Sequence, residues 1–357
     1  MKTYIKFLSH IFIKSFFYVL AIMFCLVFIL NLLSELDFFK EIEIGINFTL
    51  FLTLLNSPST IFEMFPFIFL ITTQVFFIKL FNNNELEVFK YSGLKNLKIL
   101  NFLGSISLLI GILIIFIFYN FSANIKNFYL EKKSQFTTDG KYLAVITKNG
   151  LWIKDEIDDK IYIINSSEVK DNYLINNFIT EFDKDFKVIR NLKSEKINIE
   201  KKEWLIYDAK IYNKNDYEVK KILNIKTNFD YRGIQTLYSN LSSLDILQLY
   251  ELRDNYKRLN YSLTEVNLQI MKIFTYPLYL LLITIFSALI MFRIKRLGGV
   301  TYKISLGLFL SVVIYYINNF FLVMGNTERI SLFIAVFTPL IILGLVNSIM
   351  LYRINEK

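Results

Sequence analysis

The chain has 357 residues, 54% of them hydrophobic and only 20% charged, with a formal net charge of +9. Those proportions exclude an ordinary soluble globular protein and point to a membrane protein. A single cysteine, Cys25, excludes an internal disulfide.

In chain order, residues 11–33 carry one charge, Lys14, near their start and predict the first span. That run is too long and too late for a signal peptide. Residues 44–55 are apolar but too short to cross, and Asn56-Ser57-Pro58 follows. They predict a helix lying at the membrane interface and leading into a second span over 60–81. There Glu63 and Lys79 sit near the ends, within snorkelling reach of water. Charge-free runs at 99–125, 273–292, 304–327 and 330–352 complete six spans. Each can cross a hydrocarbon core of about 30 Å as a helix.

Basic residues give the orientation. With the N-terminus inside, the short inner segments hold Lys2, Lys6, Lys14, Lys79, Lys90, Lys95, Lys98, Arg293, Lys295, Arg296, Lys303, Arg353 and Lys357. The short outer loops hold only Lys40 and Arg329. Both termini are therefore expected in the cytoplasm, with the chain crossing the membrane several times. The positive net charge reflects topology, and no nucleic-acid partner is expected.

Between spans two and three, NNNELEVFKYSGLKNLKIL predicts a separate short helix. Asn84 suits the N-cap, and Glu87 is spaced to reach back to it. Glu85 and Glu87 suit the positive end of the dipole, Lys90 the negative end, and Gly93 the left-handed stop. About two turns of helix are not stable alone in water. The helix must rest on the lipid interface or on a cytoplasmic partner that grips it. No phosphate-binding loop is present, since Gly140-Lys141 lacks the upstream glycine and the following Ser or Thr. Any ATP-driven work needs another chain.

Residues 126–270 regain charge and alternate with period two, as in DKIYIIN and EWLIYDAKIYN. In the second string Leu205, Tyr207, Ala209 and Ile211 are expected to share a face. With Asn, Asp and Gly punctuation these segments predict an all-β, jelly-roll-like outer domain with a helical connector. Trp152 and Trp204 are expected in its core or along a groove, and Asp155, Asp158 and Asp159 in a solvated turn. The expected organisation is residues 1–125 as spans one to three with the short helix at 84–93, 126–270 as the outer domain, and 271–357 as spans four to six. The only histidine is His10. No catalytic residue, cofactor or metal site is expected, and the chain is read as a non-enzyme.

Two polar clusters stand out. Asn31 and Glu35 lie one turn apart at the outer end of span one, with Lys40 just beyond. Asn318 and Asn319 interrupt span five, where facing lipid would be costly. They are expected either to bond a neighbouring helix or to line a lumen.

The order of these features resembles the LptF/LptG family, the permease subunits of the lipopolysaccharide exporter. The resemblance spans almost the whole chain. It includes NSPSTIFEMFPFIFLITTQVFFIKLFNNNELEVFKYSGL, similar to that family's proline-containing second span and Glu-Leu…Gly coupling helix. NGLWIKDEIDDKIYII and EWLIYDAKIY resemble its outer-domain strands, while SELD and GLWIKD lean toward LptG. The resemblance implies an LptF-like permease partner enclosing a shared lumen. It also implies a cytoplasmic LptB-like ATPase dimer on the coupling helix, and LptC-like and LptA-like proteins forming a periplasmic bridge. Lipopolysaccharide is the implied substrate. It assigns Glu85, Leu86, Glu87, Phe89 and Gly93 to ATPase coupling. Asn31, Glu35, Lys40, Lys303 and Asn318 are the implied lipid-binding candidates. Asn31 departs from the family, where relatives carry a basic residue nearby; Lys303 matches a basic position. The alternatives are the LptF seat of the same complex, a mechanotransmission permease, or a membrane scaffold that moves no lipid.

Overall fold

The computed structural model describes residues 3–40, 44–134, 136, 151–157, 160–170, 172–213, 216–231, 233–234, 240–258, 261–293 and 300–355. Among the described residues six helices are long and apolar enough to cross a membrane. The chain divides into two compact units: residues 1–129 with 264–357, and residues 130–263.

In the first unit, α1 (Thr3–Phe38) and α2 (Ile46–Asn82) are an antiparallel pair of 36 and 37 residues. At about 1.5 Å per residue each exceeds the hydrocarbon thickness. The helix α2 runs unbroken through Asn56-Ser57-Pro58, so the expected separate interfacial helix is its first turns. On this stretch Thr53 Oγ1 donates to Thr49 O at 2.8 Å and Ser57 Oγ donates to Thr53 O at 2.7 Å, so both hydroxyls are satisfied on their own helix.

A short α3 (Glu85–Tyr91) follows. The third span is a rod made of α4 (Asn96–Leu113), a π-helical turn (Ile114–Tyr119) and α5 (Asn120–Ser134). The inserted unit contains α6 (Ile246–Arg258), and after it come α7 (Thr264–Arg293), α8 (Val300–Asn326) and α9 (Leu332–Asn355). The hub of the bundle is α7, which packs on α2, α4, α8 and α9. Its approach to α4 is close: a Cβ at Gly111 would lie 3.0 Å from Pro277 Cα. By contrast α1 and α8 leave most of their apolar surface uncovered.

Among the described residues of the second unit six strands form one antiparallel sheet in sequential order. They are β1 (Leu151–Ile157), β2 (Lys160–Lys170), β3 (Tyr173–Phe182), β4 (Val188–Asn198), β5 (Glu203–Tyr212) and β6 (Tyr217–Lys226). Among the described residues the sheet is a single meander, where a jelly roll would use two packed sheets. In β5 the buried residues are Trp204, Ile206, Ala209 and Ile211. The expected face of Leu205 and Tyr207 with Ala209 is broken because Asp208 has a φ of +46°, which switches the parity. Trp204 is fully buried and its Nε1 donates to Phe229 O at 2.8 Å. Trp152 is 51% exposed on β1, outside the core. Asp155 is buried rather than solvated and accepts from Asn228 N and Nδ2 at 3.0 and 2.7 Å. Asp158 and Asp159 lie outside the described residues, as does Lys148-Asn149-Gly150, where the sequence predicts a turn between strands.

Candidate functional site

The α3 end of the bundle is built around one side chain. Leu86 is 1% exposed and packs with Leu8, Phe12, Phe76, Phe77 and Leu80 in a cluster that also holds residues of α4 and α7. Phe89 packs against the same cluster, and its ring meets Phe7 edge-on at 5.8 Å. This seating explains how a helix of seven residues persists. Its start differs from the expected capping box. Asn84 takes a left-handed φ of +54°, and its carbonyl accepts from Glu87 N and Val88 N at 3.1 and 3.2 Å. Asn83 Nδ2 donates to Glu85 Oε1 at 3.1 Å. Its end follows the sequence. Gly93 has φ +80°, and Leu94 N donates to Phe89 O at 2.9 Å, the six-to-one bond of a Schellman stop. The outward surface comprises Glu87, Val88, Tyr91, Ser92 and Gly93, with Tyr91 90% exposed.

A second feature lies inside the bundle. A cavity of about 220 Å³ is bounded by α2, α7, α8 and α9. Its polar wall holds Glu63 from α2, Lys272 from α7, and Asn318 and Asn319 from α8. Tyr276, Tyr279 and Tyr315 add phenol groups, while Phe62, Pro66, Val336 and Leu340 supply apolar wall. One acid, one base and two amides beside aliphatic surface suit an amphipathic guest with anionic and hydroxyl-bearing groups. Pro66 has no N–H for the carbonyl of Phe62, and the Tyr276 hydroxyl donates to that oxygen instead.

The family model for the lipopolysaccharide export system permease LptF/LptG matches residues 6–353. The chain belongs to the LptF/LptG family. Comparison with curated proteins gives no match. As a member of this family the chain is a transport subunit, a multi-pass inner-membrane permease of lipopolysaccharide export.

Within the LptF/LptG fold, the lipid-binding candidates fall in separate places. Asn318 lines the cavity. Asn31 Nδ2 donates to Ser57 Oγ at 3.4 Å and to Thr60 Oγ1 at 3.3 Å, tying α1 to α2. Glu35 is buried and accepts from the Tyr129 hydroxyl at 2.6 Å, tying α1 to the third span. Lys40 is exposed just after α1. Lys303 lies near the start of α8, with its side chain outside the described set. Of the coupling residues, the structure brings Glu85, Leu86, Glu87, Phe89 and Gly93 onto one short segment but turns Leu86 inward.

Sequence reasoning passed over Lys272, Tyr276 and Tyr279. A signal existed for Tyr276: a proline inside a span orphans the carbonyl four residues earlier, so some other helix must supply a donor.

Proposed function

We propose that this permease occupies the LptG seat of the exporter and is driven by a cytoplasmic ATPase dimer gripping α3. The observation that carries the coupling is the seating of Leu86 among residues of α1, α2, α4 and α7. A displacement of α3 moves a side chain locked into that shared core, so force applied outside is delivered to several spans at once. Val88 and Tyr91, with Glu87 beside them, form the surface offered to the ATPase. The basic-residue bias supports cytoplasmic termini. Chain parity then puts the inserted sheet in the periplasm, where it hands lipid to LptC-like and LptA-like bridge proteins. SELD and GLWIKD support LptG over LptF.

The cavity supports lipopolysaccharide as the guest. Lys272 provides a cation for a lipid A phosphate, Asn318 and Asn319 bond sugar hydroxyls, and the aliphatic wall meets an acyl chain. The test is reconstitution with an LptF-like partner and an LptB-like ATPase in proteoliposomes. Photocrosslinking from position 318 to lipopolysaccharide should depend on ATP. ATP turnover without crosslinking would favour the mechanotransmission alternative, and the absence of any bound ATPase would favour a scaffold.

A further inference from the structure

At the α3 end, α1 and α2 bring two cations together, and among the described residues no acid is paired with either. Lys79 Nζ donates to Ser15 Oγ at 3.0 Å, and Ser15 itself is fully buried. Lys14 is the residue before Ser15 on α1 and is exposed. Among the described residues neither lysine forms an ion pair with a carboxylate. The next acid along α1 is Glu35, about 31 Å away at 1.5 Å per residue, and the nearest earlier acid on α2 is Glu63, about 24 Å away. Beyond α2, Glu85 is the next acid in sequence, and its Oε1 accepts from Asn83 Nδ2 rather than from either lysine.

Two like charges at the margin of the hydrocarbon are costly unless an anion lies between them. Lys79 spends one of its three N–H donors on Ser15 and keeps two for such an anion. His10 and Lys6 continue the same ridge at four-residue steps toward the helix start. Ile13, Phe17 and Tyr18 are exposed beside Lys14 and offer apolar surface at acyl-chain height. A phosphate sitting there arrives attached to lipid tails.

We propose that Lys14, Lys79 and Ser15 form a site for the phosphodiester of an anionic phospholipid in the leaflet at the α3 end. The site belongs to bulk membrane lipid and is separate from the transport cavity. It stabilises the α1–α2 hairpin against which α3 rests.

The full chain in neutral detergent is titrated with short-chain phosphatidylglycerol, with phosphatidylcholine of equal chain length, and with inorganic phosphate, reading thermal unfolding and, independently, lipid retained in native mass spectra. Saturable stabilisation and retention with phosphatidylglycerol alone are expected. Lys14→Gln should weaken that affinity about fivefold, and Lys14→Gln with Lys79→Gln about 30-fold. Lys79→Arg should retain binding. Because Lys14 is exposed, its single variant folds and carries the test if the double variant does not. Equal effects of the two lipids would overturn the proposal. So would a full effect from inorganic phosphate, or unchanged phosphatidylglycerol affinity in Lys14→Gln.

Discussion

The hydroxyl of Tyr276 on α7 donates to the carbonyl of Phe62 on α2, the oxygen that Pro66 leaves without its helical partner. The two rings also stack, with centroids 4.8 Å apart. One phenol thus repairs the defect that a proline makes in a neighbouring span, and it does so at the wall of the cavity. Tyr276→Phe keeps the ring and deletes the donor. It should destabilise the permease by about 1–2 kcal/mol in detergent unfolding. In a Pro66→Ala background the carbonyl regains its own helical N–H, so the same substitution should cost much less. Equal costs in both backgrounds would show that the repair is not what Tyr276 contributes.

On α3 the inward and outward residues should separate cleanly. Leu86→Ala removes a fully enclosed side chain and should cost about 2–5 kcal/mol of stability. Tyr91→Ala and Val88→Ser touch exposed positions and should leave thermal unfolding unchanged within about 0.5 kcal/mol. If the outer face docks the ATPase, the same two changes should weaken ATPase association by tenfold or more in pull-down titrations. Loss of stability in Tyr91→Ala, or undiminished ATPase binding with both changes, would remove the outward face from the coupling role.

Where α8 crosses α2, a Cβ at Gly307 would overlap the amide of Gln74, which is itself fully buried. Gly307→Ala should therefore destabilise the bundle by about 1–3 kcal/mol. Adding Gln74→Ala should recover a substantial part of that loss in the same unfolding assay, since the obstructing group is gone. Additive losses would place the strain elsewhere.

These relationships mark how far the sequence could be read. Hydropathy alone locates the six spans, because a bilayer admits long uncharged helices and little else. Gly93 and the short helix before it are also legible, since the turn chemistry is local. Partners across the bundle are not. Asn31 reads equally well as a lumen residue or an interhelical bond, and only the packing of α1 on α2 brings Ser57 and Thr60 to its amide. Leu86 and Phe89 share one face of the short helix in the sequence while Val88 and Tyr91 add further apolar surface, and which of these turns inward depends on the angle at which α3 leaves α2. In the sheet, a left-handed residue such as Asp208 leaves no periodic trace, so strand parity after it is read wrongly.

The inserted sheet carries its own ionic test. Glu181 on β3 is buried, with Lys160 Nζ 2.8 Å from one oxygen and Arg190 Nε 2.5 Å from the other. The hydrogen bond and charge of Glu181 raise the Lys160 ammonium above its ordinary value of 10.5. A value raised in the folded state means that this contribution is complete below the unfolded value and is lost as pH climbs through the raised one. The Lys160 contribution to sheet stability should thus be full and constant across neutral pH and fall away only above about 10.5. Hydrogen-exchange protection of the β2 and β3 amides, compared between the parent and Lys160→Met, isolates that contribution. Glu181→Gln leaves Lys160 and Arg190 facing a neutral amide and should lower protection at every pH by about 1–3 kcal/mol. A Lys160→Met difference that appears at pH 7 and grows no smaller above 11 would mean that packing of the lysine stem, rather than its charge on Glu181, is what the sheet uses.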